Sequence, residues 1–337
     1  MTNLADLGIR EISLKEFDGI CIGHAEDSVG VTGCTVLAAK EGMAAAVDVR
    51  GGGPASRETT LLDPLSSAES IHAIVLSGGS AFGLDAASGV MEYLEENGIG
   101  FDTGFSKVPL VCQSCIYDLG IGSSSSRPDK AMGYEACKNA FQVNDGTQMG
   151  NVGAGIGATV GKARGAQSMM KSGLGIYCLA WGELKVGAVA VVNALGDIYD
   201  YKTQKKIAGM RNLEGSGFQD CQEELLRTLA RQEGDNLFTS NTTIGVIITN
   251  GDFNKMQLKR VCSASHNAYA RTIRPVHTSA DGDSIYAVCA GKRVSANVDM
   301  VSIFAEEAMA MAVNQAVYSA QSWEEIPTAR DFHAADN

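Results

Sequence analysis

Residues 242–249 read TTIGVIIT, and a polar stretch that reads GDNLFTSN over residues 234–241 precedes them. Threonine, valine and isoleucine favour β-structure, and a run of this kind without a charge predicts a buried strand. The polar stretch predicts a solvent-exposed loop. The sequence therefore places Thr242 where an exposed loop ends and a buried strand begins.

Strands and helices alternate on both sides of this stretch, without a regular βαβ rhythm. This order predicts an α/β or α+β fold with layers of mixed sheet and helix. Within it, residues 33–53 predict two strands joined by a hairpin turn at Glu41-Gly42. The other clear elements are buried strands over 71–79, 184–200 and 284–291, and helices over 85–96, 255–271 and 298–318.

The chain has 337 residues and a net charge of −12 at pH 7, with a pI of about 4.9. Such an acidic chain does not favour nucleic acid or anionic membranes, because both need clustered Lys and Arg. No run approaches the roughly 20 apolar residues of a membrane span, and the first residues do not resemble a secretory signal. We expect a cytoplasmic protein of one domain that acts on a small molecule.

Nine cysteines are scattered along the chain, and only Cys112 and Cys115 form a C-x-x-C pair. This pair allows a redox or metal-binding role. Against that role, its segment, PLVCQSCIYDLG, predicts a buried strand, and no second pair or nearby histidine completes a zinc site. The sequence favours buried free cysteines in a reducing compartment, and no metal or other cofactor.

The start of the strand at 242–249 offers a way to make a nucleophile. If the bond between Asn241 and Thr242 breaks, Thr242 becomes a chain terminus whose α-amine, with a pKa of roughly 8, can act as the base for its own hydroxyl. A terminal threonine thus needs no histidine. The alternative is a turn followed by an ordinary strand, and the short motif alone favours that alternative because it is common.

Two aspartates precede the strand at 284–291. Asp281 and Asp283 are two residues apart and so face one side of an extended chain, where each carboxylate shifts the pKa of the other and the pair can orient a new amine. An exposed Asp-Gly turn is the structural alternative, and spacing alone favours it. His277 is a candidate base, but a lone histidine before a turn is more often a hydrogen-bonded structural residue.

Glycine clusters occur at residues 76–87 and 150–162. The first, LSGGSAFGLDAA, follows a strand and begins a helix, so its N–H groups could bind an anion. The second, GNVGAGIGATVGK, contains a loose dinucleotide-binding pattern, but close backbone packing explains its glycines better. It ends at Lys162, a candidate buried cation. Asn193, inside the apolar run AVAVVNAL, is either a hydrogen-bonded core residue or a donor to an oxyanion.

Taken together, these segments resemble the family of L-aminopeptidase/D-esterases, β-peptidyl aminopeptidases and nylon-oligomer hydrolases. The resemblance covers residues 10–320, and the order and joint presence of its blocks make it specific. The blocks are GCTV near Cys34, AVDVRGGGPASRETTLL from Ala46, AIVLSGGSAFGLDAASGV from Ala73, IYDLG from Ile116, RPDKAMGYEAC from Arg127, GNVGAGIGATVGK from Gly150, NTTIGVIITN from Asn241, and RPVHTSADGDSIYAV from Arg274.

The resemblance implies an αββα sandwich, in which two sheets lie between helix layers, related to ornithine acetyltransferase. It also implies autocatalytic cleavage into residues 1–241 and 242–337, which stay together, and homo-oligomers, often tetramers. By position, Thr242 matches the nucleophile, Asn193 the oxyanion-hole residue, Lys162 a lysine beside the nucleophile, Asp281 and Asp283 the pair that positions the new N-terminus, and Tyr117 a residue of the site wall.

The sequence thus predicts a self-processing amide hydrolase that cuts small peptides or other linear amides through an acyl-enzyme. One position departs from the family, because aminopeptidase members that hold a substrate ammonium have an acidic residue where this chain has Cys115. That departure leaves room for an endo-amidase of the nylon-oligomer kind. The sequence also allows an acyltransferase with the same nucleophile, or a nicotinamide-dependent oxidoreductase built on residues 150–162.

Overall fold

The computed structural model describes residues 4–230 and 241–334. The helices in this part of the chain are α1 Ala86–Glu96, α2 Lys130–Gln142, α3 Cys221–Ala230, α4 Lys255–Thr272, α5 Val298–Tyr318 and α6 Ala329–Ala334. The strands are β1 Ile9–Glu11, β2 Cys21–Asp27, β3 Thr32–Val49, β4 Ala55–Arg57, β5 Ile71–Ser77, β6 Phe101–Asp102, β7 Lys107–Val108, β8 Val111–Cys115, β9 Thr159–Val160, β10 Met170–Lys171, β11 Leu174–Trp181, β12 Leu184–Asn193, β13 Asp197–Tyr199, β14 Lys206–Ala208, β15 Thr242–Gly251, β16 Ile273–Arg274 and β17 Ser284–Val294.

A ten-stranded sheet, counted over the described residues, bends into two halves that share β3. In the first half, here called sheet 1, the order is β1, β11, β12, β15, β17 and the end of β3. The pair β15 and β17 is parallel, and the other neighbours in sheet 1 are antiparallel. In the second half, sheet 2, the beginning of β3 pairs with β2 and β5, and β8 lies between β5 and β4.

The hairpin predicted at Glu41-Gly42 is wrong, because β3 is one bent strand of 18 residues. Gly42 has a φ of +76°, a conformation that glycine adopts at little cost. Residues 32–38 pair with β2 and β5 in sheet 2, and residues 44–49 pair with β17 in sheet 1. A glycine at positive φ suits both a hairpin turn and a bend within one strand. The distant strands that pair with β3 decide between the two.

Three apolar clusters divide the fold into four layers. One cluster fills the space between sheet 1 and helices α4 and α5, and includes Ile247 and Val313. A second lies between the two sheets and includes Ile244 and Leu76. A third lies between sheet 2 and helices α1 and α2, and includes Val90. The order helix, sheet, sheet, helix confirms the αββα sandwich that the resemblance implies.

The main sequence-based elements are confirmed. The helices predicted at 85–96, 255–271 and 298–318 are α1, α4 and α5, and the buried strands are β5, β12, β15 and β17. Helix α4 begins where it does because Asn254 and Gln257 cap its first turn reciprocally. The exposed loop predicted over residues 234–240 lies outside the described residues.

Candidate active site

Thr242 is the first residue of β15 and lies directly opposite Asn193, the last residue of β12. The antiparallel register of these strands is well determined, because a slip of one residue would turn every buried side chain to the other face. Both residues are buried, Asn193 completely. The strand pairing therefore brings the predicted nucleophile and the predicted oxyanion residue together where β12 ends and β15 begins.

The peptide bond between Asn241 and Thr242 is held by groups around its carbonyl oxygen. The Thr242 hydroxyl donates a hydrogen bond to this oxygen, and the Gly282 N–H donates another at 3.3 Å. A β-carbon at Gly282 would lie 2.9 Å from Thr242 Oγ1, so a larger residue would force the two apart. Gly282 was not among the predicted site residues, although its place between the two aspartates was the available signal.

Lys162 fixes the orientation of Asn193. Its Nζ donates to the Asn193 carbonyl oxygen at 2.9 Å and to Oδ1 at 2.8 Å. Oδ1 also accepts from the Thr159 N–H at 3.1 Å, while Nδ2 donates to the Tyr117 carbonyl oxygen at 2.8 Å. Burial lowers the pKa of Lys162 to about 7, although nearby carboxylates oppose this shift. Lys162 is half-buried, not fully buried, and has a pKa near neutral pH.

Asp281 and Asp283 are both buried, so the alternative of an exposed turn is wrong. Asp283 Oδ1 accepts from the Thr243 N–H at 2.7 Å, and Asp281 Oδ2 accepts from the Thr278 N–H at 2.6 Å. Burial, followed by the charge of Asp283, raises the pKa of Asp281 to about 6. The pair therefore places coupled carboxylates beside the first residues of β15.

A cavity of about 480 Å³ opens beside these groups. Asn241, Lys162 and Tyr117, which is half-buried, are among the residues that line it. Pockets of this size ordinarily hold small molecules. The rest of the lining is mixed, with the apolar side chains of Ile121, Met169 and Leu195 and the charged side chains of Asp118 and Arg164.

Asp118 is a buried acid that was not among the predicted site residues. Its two carboxylate oxygens accept from the Gly79 N–H and from the Thr32 hydroxyl, each at 2.7 Å. Burial raises its pKa, while these hydrogen bonds and the nearby Lys162 oppose the shift. Asp118 thus joins three separate parts of the chain at the cavity wall. An acid directly after an apolar strand, in IYDLG, was the available signal.

The glycine clusters have packing roles. The Gly79 N–H donates to the Asp118 carboxylate. The anion that this loop binds is therefore a side chain of the protein, not an external ligand. Residues 150–162 form a 3₁₀ turn at Gly153–Gly155 and lead into the short β9, not into an α-helix. The strand-turn-helix that a dinucleotide-binding loop needs is therefore absent from residues 150–162, which removes the support for an oxidoreductase.

The C-x-x-C pair is buried within β8. Cys112 and Cys115 are both free thiols, and burial raises the pKa of each to about 12. The interpretation of this pair as buried free cysteines is confirmed. Across residues 4–230 and 241–334, no group of three or more His, Cys, Asp and Glu residues is placed to hold a metal ion. Over the same ranges, no helix has the length and apolar character needed to cross a membrane.

Comparison with known sequences identifies the family. Residues 13–328 match the model of peptidase family S58. An uncharacterized aminopeptidase from Mycobacterium leprae is 36% identical, and the match covers 94% of this chain and 92% of that protein. A 6-aminohexanoate-oligomer endohydrolase from Kocuria sp. is 31% identical over 91% of this chain and 86% of its own length.

Solved structures support the fold. The L-aminopeptidase D-Ala-esterase/amidase from Ochrobactrum anthropi, described as a variant of the Ntn hydrolase fold, superposes with a TM-score of 0.68 at 14% identity, covering 99% of this chain and 98% of that one. A Burkholderia sp. β-aminopeptidase gives a TM-score of 0.64 at 16% identity, over 98% and 97% of the two chains. The chain therefore belongs to peptidase family S58, as its sequence blocks indicated, and is a hydrolase of peptide or other amide bonds.

Proposed function

We propose that this chain cuts itself between Asn241 and Thr242 and then uses the N-terminal Thr242 as the nucleophile of an amide hydrolase. The observation that carries the proposal is the position of the Thr242 hydroxyl against the preceding carbonyl, at the buried start of β15. Cleavage there would give chains of 241 and 337 − 241 = 96 residues within the αββα domain.

Self-cleavage needs no group from outside the chain except water. The Thr242 hydroxyl adds to the Asn241 carbonyl carbon, and the Gly282 N–H, 3.3 Å from the carbonyl oxygen, stabilises the negative charge that develops there. The hydroxyl proton passes to the Thr242 nitrogen as the C–N bond breaks, which leaves an ester between Asn241 and the Thr242 side chain and a free α-amine. Water hydrolyses the ester and releases the Asn241 carboxylate.

Turnover of a substrate repeats this chemistry with the new terminus. The Thr242 α-amine takes the hydroxyl proton as the oxygen attacks the substrate carbonyl, and passes it to the leaving amine. Asn193 donates to the oxyanion, an interaction typically worth about 3–4 kcal/mol. Lys162 holds the Asn193 amide, and Asp281 and Asp283 position the new ammonium group. Water then hydrolyses the acyl-enzyme.

We propose small peptides or linear amides as substrates, with Tyr117 in the wall that contacts them. Cys115 does not provide an acidic anchor for a substrate ammonium, since it is 2% exposed and its sulfur lies 3.1 Å from Ser77 Oγ. This favours an amidase that accepts substrates without a free amine near the scissile bond, of the kind named in the 6-aminohexanoate-oligomer relative. The family resemblance also supports a homo-oligomer, with a tetramer as the expected form, and the free cysteines support a cytoplasmic location.

The test compares Thr242→Ala with Thr249→Val, a control at the other end of β15. That control removes the hydrogen bond from Thr249 Oγ1 to the Lys185 carbonyl and the one that Thr249 Oγ1 accepts from the Gly251 N–H. We expect Thr242→Ala to remain one uncut chain and to lack activity on aminoacyl p-nitroanilides and 6-aminohexanoate oligomers. Thr249→Val should cleave and act as wild type does. A cut, active Thr242→Ala protein would contradict the proposal.

The products of the same assay separate a hydrolase from an acyltransferase. A hydrolase releases the free acid whether or not an amine such as hydroxylamine is added. An acyltransferase would transfer most of the acyl group to the amine at low amine concentration, which would replace the hydrolytic proposal while leaving Thr242 as the nucleophile.

A further inference from the structure

His277 has an unusual backbone conformation close to the candidate site. Its φ is +57°, in the left-handed region that non-glycine residues seldom occupy. Such conformations are retained where the surrounding structure fixes them, and they are concentrated at functional sites. The contacts that hold His277 in this conformation are therefore of functional interest.

The left-handed conformation lets His277 bind one carboxylate oxygen twice. The His277 N–H donates to Asp283 Oδ2 at 3.1 Å, and its ring Nδ1 lies 2.9 Å from the same oxygen. Because Asp283 Oδ2 already accepts from the backbone N–H, we assign it as the acceptor here too and place the proton on Nδ1. With the Thr243 N–H at Oδ1, the Asp283 carboxylate receives three donors and is fixed in position and orientation.

A second histidine holds the ring of His277. His266, which is completely buried on α4, packs against His277 in a T-shaped contact with ring centroids 4.8 Å apart. Its Nε2 donates to the Asp48 carbonyl oxygen at 3.0 Å. Burial lowers the pKa of His266 to about 4, so this ring is neutral at pH 7 and packs against His277 without adding charge.

The side of the sheet on which these groups lie argues against His277 as a base. Ile285 and Ala287 of β17 face α4 and α5, and the alternation of an extended chain puts Asp283 on that side. Ile244 and Val246 face the space between the sheets, which puts Thr242 on the opposite side of β15 from Thr243. His277 therefore lies on the side of β15 opposite to the Thr242 hydroxyl. The residues that line the cavity include Asn241 and Lys162, but neither His277 nor Thr242.

We propose that His277 is a positioning residue that acts through Asp283. It holds the Asp283 carboxylate where that group receives the α-ammonium of Thr242 once the chain is cut, and it accepts a left-handed backbone to do so. This inference rests on the proposed function. It assigns no contact with substrate to His277, and it assigns His266 the supporting role of keeping the imidazole in place.

The experiment uses two substitutions that suit a positive φ. His277→Gly keeps the backbone N–H and adopts the conformation without strain, but lacks the imidazole. His277→Asn also tolerates the conformation and can donate to Asp283 from its side-chain amide. The control is His72→Asn, since His72 is a buried histidine whose Nδ1 accepts from the Leu110 N–H at 3.1 Å, at the start of β5.

We expect kcat of cleaved His277→Gly to fall by about 10- to 100-fold, a size typical of lost supporting hydrogen bonds around a site, with KM nearly unchanged. His277→Asn should recover most of kcat, and His72→Asn should keep it. The substrate is whichever aminoacyl p-nitroanilide or 6-aminohexanoate oligomer wild type cuts fastest. Melting temperatures measured in parallel show that each variant is folded.

Two outcomes would overturn this inference: a kcat of His277→Gly within about twofold of wild type, or a His277→Asn variant that is no better than His277→Gly. Failure of the proposed function looks different. In that case wild type itself would yield no chain that begins at Thr242, whatever the His277 variants do.

Discussion

The two helix–sheet layers of this protein have similar architecture but different contents at their centres. Sheet 1 with α4 and α5 carries Asn193, Thr242 and Asp283 at the ends of three adjacent strands. Sheet 2 with α1 and α2 has a mainly apolar interface, in which Gln113 of β8 accepts from the Ala87 N–H of α1. It contacts the site at Thr32, Gly79 and Asp118.

The difference shows how a buried polar site can be tolerated in a packed fold. In sheet 1 the polar groups lie where β12 ends and β15 and β17 begin, so backbone groups released from the ladder satisfy them. The Thr243 N–H, which binds Asp283 Oδ1, is one example. Because buried polar groups are costly without partners, the donors at these strand ends stabilise the cluster. Changes in the first layer should therefore affect catalysis, and changes in the second should affect stability.

The largest expected effect follows from Asn193→Ala. Loss of an oxyanion donor lowers kcat by about 100- to 1000-fold. The matched control is Asn314→Ala, because Asn314 is a buried amide on α5 that also bridges backbone groups, the Tyr199 carbonyl at 2.9 Å and the Tyr201 N–H at 2.8 Å. The Asn314→Ala variant should lose about 1–3 kcal/mol of unfolding free energy and keep the kcat of wild type. Equal kcat losses in both variants would contradict a catalytic role for Asn193.

A smaller effect concerns stability. Substitutions at buried positions usually destabilise a protein, whereas one at Asp281 is expected to stabilise this one. The folded-state pKa of Asp281, about 6, lies above its ordinary value of 3.8. The folded chain therefore binds this proton more tightly than the unfolded chain, so ionisation lowers the unfolding free energy as pH rises through this window. Asp281→Asn should raise the unfolding free energy by about 1–3 kcal/mol near pH 8 and change it little near pH 4.

Urea unfolding at both pH values measures this effect, and kcat measured near pH 8 accompanies it. We expect activity to fall while stability rises, since the carboxylate is proposed to hold the new ammonium. A variant that is less stable near pH 8 than wild type would show that the Asp281 charge stabilises the fold.

The smallest effect tests the second layer. Asp129 caps α2 by accepting from the Met132 N–H at 2.9 Å, and loss of such a cap costs about 1 kcal/mol. Asp129→Ala should lower the unfolding free energy by that amount and leave kcat within about twofold, whereas Asp129→Asn should restore stability. A large loss of kcat in Asp129→Ala would show that the second layer is coupled to the site.

Much of this arrangement could be predicted from the sequence. Thr242 stands out because a polar stretch meets a buried strand there, and β15 begins at that residue. Asn193 interrupts an apolar run, which marks it as a buried amide in need of partners. The fold follows from the joint order of the sequence blocks, which no single block could establish.

Other features depend on contacts that no local pattern encodes. Lys162 binds Asn193 across 31 positions, and Asp118 joins Thr32 and Gly79 from distant loops. The bend at Gly42 resembles a hairpin turn in sequence because glycine suits both conformations. Which of the two forms depends on the distant strands that pair with β3. The two contacts of His277 with Asp283 likewise join residues six positions apart and were not apparent from the sequence.

The most direct test of self-cleavage is the intact mass of the purified wild-type protein on denaturation, with N-terminal sequencing of any smaller chain. We expect two chains, of 241 and 96 residues, the smaller beginning Thr-Thr-Ile-Gly. A single active chain of 337 residues would contradict self-cleavage and the N-terminal nucleophile that depends on it.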